Sequence, residues 1–163
     1  MVRYSSIAIM IAGLSLASSA FAGAGAPGHA HGDKEGYSFG EPGDPKKPSR
    51  LIPVTMKETD DGKMVYFPAQ VDVRQGEQIK FKITNAGKND HEFVLNTLAE
   101  NEEHKAEMEK NPGMEHDDPN NKTVAAGKST EVVWKFTKPG TYEYACLIPG
   151  HYELGMHAAV VVR

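Results

Sequence analysis

A chain of 163 residues, 39% of them hydrophobic, is long enough for one domain with a real core and hardly for two. Its formal net charge of −4, with no long basic run, argues against a nucleic-acid binder. A single cysteine, Cys146, rules out an internal disulfide.

Residues 1–22 read as a secretory signal peptide. Arg3 supplies the positive n-region, Ile7 to Leu16 a short apolar run, and Ala20-Phe21-Ala22 a small-x-small cleavage site. The run is too short to cross a bilayer, and nothing in the mature part reads as a span. Cleavage after Ala22 predicts a periplasmic protein. Removing 22 residues from 163 leaves 141, and losing Arg3 takes the charge from −4 to −5. In such a compartment a lone thiol is free, intermolecular or ligated, and ligation protects it from stray exchange.

Residues 23–49 are rich in Gly, Pro and charge with little apolar periodicity, which predicts a flexible tail, disordered or loosely docked. It carries His29 and His31 as H-x-H. Weak copper capture and plain solubilisation are equal readings of that pair.

From Arg50 the texture changes to short alternating runs between turn residues, as in an antiparallel all-β sandwich. Ile52, Val54 and Met56 alternate with polar neighbours, as do Val71 and Val73. Ile79, Phe81 and Ile83 set against Lys80 and Lys82 give the strictest period of two. Val132, Trp134 and Phe136 repeat it. Tyr142, Tyr144 and Cys146 then share one inward parity, and Ala158 to Val162 closes the sheet. The count is about seven to eight strands over residues 50–163.

His91 follows the turn Asn85 to Asp90 and shares a face with Phe93 and Leu95, so it enters the sheet on the core side. Asp90, Glu92 or a backbone carbonyl is available to its second nitrogen. Residues 97–122 exceed what a minimal sandwich needs. Within them Leu98 to Lys110 is a run of helix formers stopped by Asn111-Pro112-Gly113. This helical insertion carries His104 and Met108 at i, i+4, with Met114 and His116 just beyond. It reads either as a solvated charged helix, the plainer view, or as a second, more exposed copper site of thioether and imidazole.

The most informative stretch is Cys146-Leu-Ile-Pro-Gly-His151-Tyr-Glu-Leu-Gly-Met156, a C-x4-H-x4-M pattern. Thiolate, imidazole and thioether on one loop, completed by His91, are the donors of a trigonal His2Cys copper site with a weak axial Met. A zinc set of Cys146, His151, His157 and His91 is the chemical alternative, but Met156 is not a zinc ligand of choice.

With Asn89-Asp-His-Glu-Phe93 and Trp134, the run Tyr-x-Tyr-x-Cys-x4-His-x4-Met resembles the cupredoxins over nearly all of residues 50–163. Glu41-Pro-Gly-Asp-Pro-Lys-Lys-Pro, Asp90-His-Glu-Phe-Val-Leu and Tyr144-Ala-Cys-Leu-Ile-Pro-Gly-His look like the bacterial periplasmic copper-tolerance branch. The resemblance implies a Greek-key β-sandwich and one type 1 copper held by His91, Cys146, His151 and Met156. It also implies a role in protection against excess copper. Many electron-carrying cupredoxins have Asn after the first His, where this chain has Glu92, an extra carboxylate near the metal. In cupredoxins the His matching His151 lies at an apolar patch, which here would dock a redox or copper-trafficking partner. Two roles follow: copper tolerance by binding and redox-cycling copper, or electron carriage between redox partners. No general base or nucleophile pair is evident, and weak cuprous oxidation is the one enzymatic reading left open.

Overall fold

The computed structural model describes residues 36–163; the expected leader and cleavage site, with His29 and His31, lie outside the described residues. In chain order the elements are β1 (Gly40–Pro42), β2 (Arg50–Glu58), β3 (Met64–Phe67), β4 (Gln70–Val73), β5 (Gln78–Asn85) and β6 (His91–Asn96). There follow α1 (Leu98–Lys110), β7 (Asp117–Asp118), β8 (Asn121–Val124), β9 (Ser129–Phe136), β10 (Gly140–Ala145) and β11 (His157–Val162). One sheet has the order β1-β9-β5-β2-β3 and the other β4-β11-β10-β6-β8-β7. This is the expected two-sheet sandwich with one helical insertion.

The alternating stripes face each other across its middle. Ile79, Phe81 and Ile83 are fully buried, as are Trp134 and Phe136 on the neighbouring strand. Tyr144, Phe93 and Val160 close the core from the second sheet. Each large apolar side chain so buried contributes about 1.5–3 kcal/mol.

Three features depart from the sequence reading. More strands form than expected, because short pieces such as Met64–Phe67 and Asn121–Val124 borrow hydrogen bonds from longer neighbours. The sheets are mixed, since β2 runs parallel to β5 and β4 parallel to β11. Residues 37–42, read from composition as part of a disordered or loosely docked tail, are firmly docked. Phe39 is fully buried, stacked on Trp134 at 5.0 Å, and Tyr37 meets the same indole edge-on at 4.7 Å. Two aromatic residues suffice to dock this Gly- and Pro-rich segment, and Gly40 permits the approach. A Cβ there would lie 2.4 Å from both Lys135 O and Trp134 Nε1.

Helix α1 spans the residues expected of it. Thr97 caps it in a reciprocal box with Glu100, and Asn111 ends it. Its buried residues are Asn101, His104 and Met108, on one face. Met108 packs on Val94, Ala145 and Leu147, on the side of β6 and β10 away from the sandwich core. Among the described residues no helix is long and apolar enough to cross a membrane.

Candidate metal centre

Strand alternation sets the first two donors. His91 opens β6 with Phe93 and Leu95 on its face, and Cys146 follows β10 with Tyr142 and Tyr144 on the core side. The loop from Cys146 returns on itself: Cys146 N–H donates to Met156 O at 3.0 Å, and Met156 N–H to His151 O at 3.2 Å. Gly150 and Gly155, at φ of 87° and 98°, make turns that L side chains resist. The loop is thereby closed with Met156 buried beside the cysteine and His151 half-buried at the surface.

His91 Nδ1 lies 3.3 Å from His151 Nδ1, and Cys146 Sγ lies 3.3 Å from the same nitrogen. All three donor atoms fall within 4.8 Å of one another. Donors held about 2.0–2.3 Å from one ion sit about 3.5 Å apart at the corners of a triangle. The residues present therefore fit a trigonal metal with little movement.

The protonation states agree. Burial pushes the Cys146 thiol up to about 12, although the Glu92 N–H, 3.3 Å from Sγ, works the other way. A metal-free thiol stays protonated at neutral pH, so ligation releases a proton. Burial lowers both imidazoles, His91 against the pull of Glu58 and His151 with a further push from His91, leaving them neutral as ligands must be.

Glu58, at the end of β2 in the opposite sheet, is the functional residue that the sequence reading missed. Its Oε1 lies 3.3 Å from His91 Nε2, close enough for electrostatic attraction though not aligned as a hydrogen bond. Partial burial raises its carboxyl, but the amides of Lys88 and Asn89 outweigh that and hold it at about 2. The ionised carboxylate favours the proton on Nε2 and leaves Nδ1 facing the other donors. Asp90 instead accepts from Ala126 N–H. Glu92 does not place its carboxylate among the three donors either; strand parity turns it to the α1 side, where Oε1 lies 3.9 Å from His116 Nε2.

His157 is exposed and stacked on Tyr152 at 4.6 Å, outside the His91–Cys146–His151 group, which disfavours the zinc set. The insertion residues do come together. His104, Met108 and His116 converge beneath α1, less exposed than expected, with Met114 half-buried at their edge.

Comparison with known proteins agrees with this geometry. The family model described as copper binding proteins, plastocyanin/azurin family, matches residues 54–163. The chain is 48% identical over 145 residues to the copper-resistant cuproprotein CopI of Rubrivivax gelatinosus, covering 89% of this chain and 82% of that one. It is 34% identical to the protein of the same name from Pseudomonas aeruginosa, covering 78% and 84%. Among solved structures, the reduced auracyanin of Roseiflexus castenholzii superposes with a TM-score of 0.58 at 23% identity, over 72% of this chain and 99% of that one, a likeness of fold.

Proposed function

The chain belongs to the plastocyanin/azurin family of copper-binding proteins, and from that premise we propose that it is an exported, periplasmic copper-tolerance protein. Residues 1–22 are its cleaved leader, and residues 50–163 carry one type 1 copper on His91, Cys146, His151 and Met156. The convergence of His91, Cys146 and His151 carries the copper reading. The tolerance role is supported by relatives whose name is copper-resistant cuproprotein.

In that site copper supplies a one-electron couple. The chain's own residues do the rest. Cys146, buried from bulk water, would release its thiol proton to solvent on ligation, and Glu58 orients His91 across the two sheets. Met156 packs fully buried beneath the loop, and half-buried His151 is the ring from which a partner is reached. Ile148, Pro149 and the exposed Leu154 lie on the same loop as that ring and offer apolar surface suited to a transient contact.

A Cu(II) titration read by visible absorption and electron paramagnetic resonance tests the site. An intense sulfur-to-copper band saturating at one equivalent is expected, and Cys146→Ser should abolish it. A band that survives Cys146→Ser refutes the ligand set. Gene deletion separates the roles: copper sensitivity with normal respiration supports tolerance, whereas a respiratory defect without sensitivity identifies an electron carrier.

A further inference from the structure

Consecutive residues of β6 face opposite ways, so the strand that sends His91 into the core turns the Glu92 carboxylate toward α1. Three side chains of the insertion meet it there. His104 Nε2 lies 3.2 Å from His116 Nε2, and that nitrogen lies 3.5 Å from Met108 Sδ and 3.9 Å from Glu92 Oε1. Met108 is fully buried, Glu92 is 1% exposed and His104 8%.

Two observations point to a ligand. Glu92 Oε2 is buried with no hydrogen-bond partner, an arrangement that is costly unless something positive meets the carboxylate. Each imidazole also has a carboxylate near its far nitrogen: Glu107 Oε2 is 3.7 Å from His104 Nδ1, and Asp118 Oδ2 is 3.7 Å from His116 Nδ1. Carboxylates behind the rings, with the two Nε2 atoms turned toward each other, are the surroundings of metal-ligating histidines. A helix kept only for packing would bury Leu where α1 buries Asn101, His104 and Met108.

We propose that His104 Nε2, His116 Nε2, Met108 Sδ and the Glu92 carboxylate form a second metal site, selective for Cu(I). Two imidazoles and a thioether favour a soft cuprous ion, and one carboxylate balances its single charge in a shielded pocket. Zinc would make less use of the thioether. The site uses none of the four ligands of the loop centre and goes beyond that centre's role.

The test is anaerobic Cu(I) titration of the purified protein against a chromophoric competing chelator, in a His29→Ala/His31→Ala background that removes the tail ligands. Two equivalents should bind. His104→Ala/His116→Ala should lose one of them, and Met108→Leu should weaken one by more than about tenfold. Both variants should keep the Cu(II) band at one equivalent, which shows that the fold and the loop centre are intact. Cys146→Ser should retain one Cu(I) at the cluster, so failure of the loop assignment reads out separately. One equivalent in the parent, or two in the double histidine variant, overturns the site. Zn(II) displacing Cu(I) from the cluster overturns its selectivity.

Discussion

The cost of holding Glu92 where it stands is measurable in the metal-free protein. Burial raises its carboxyl from an ordinary 4.5 to about 7, only partly offset by a hydrogen bond from Leu147 N–H. Below pH 4.5 the side chain is protonated in folded and unfolded chains alike and costs nothing. Between 4.5 and 7 the unfolded chain releases the proton and the folded one retains it, so stability falls by about 1.4 kcal/mol per pH unit. Above 7 the penalty is complete, on the order of 3 kcal/mol. Glu92→Gln keeps the shape and the acceptor for Leu147 but does not titrate. Urea unfolding of chelator-treated protein, followed by the fluorescence of buried Trp134, should find the variant more stable at pH 8 by roughly that amount. At pH 4 the two proteins should nearly coincide. Groups common to both whose titration Glu92 does not influence, His91 and His151 included, cancel in the difference. Parallel stability curves from pH 4 to 8, or a variant less stable at pH 8, would refute the reasoning.

Other expectations follow from single contacts. Met156→Leu should keep the sulfur-to-copper band and raise the reduction potential, because losing a weak axial donor destabilises oxidised copper most; voltammetry showing no change would remove Met156 from the ligand set. Glu58→Gln should lower copper affinity by about 10–100-fold while the band persists, since it loosens the orientation of His91 rather than removing a donor; competition titration with unchanged affinity would leave Glu58 no such role. Gly40→Ala should cost on the order of 2 kcal/mol, because its Cβ forces β1 away from Lys135 O and the Trp134 ring. An unchanged urea midpoint would mean that the docked segment adds nothing to stability.

The sequence displays these features unequally, for physical reasons. Cys146, His151 and Met156 lie on one short loop, so their spacing carries most of their geometry. His91 is found by the period of two that its strand shares with Phe93 and Leu95. Glu58 is invisible by the same rule: it ends a strand of the other sheet and meets His91 only because the sandwich closes. Helical periodicity joins His104 to Met108 but says nothing of His116, which arrives through Asn111-Pro-Gly113 and the pairing of β7 with β8. The docked segment at Tyr37 and Phe39 was hidden by composition, since two aromatics outweigh many glycines once a tryptophan offers them a face.

Glu92 is the most instructive residue. Chain adjacency to His91 suggests a carboxylate beside the copper, yet the alternation that sends His91 inward must send its neighbour outward. Its backbone N–H still reaches Cys146 Sγ, so one residue touches the loop centre through its amide and the insertion cluster through its side chain. Here the insertion supplies two imidazoles and a thioether to meet it. The carboxylate and the helix above it are therefore one feature, and losing the helix should leave the carboxylate a liability.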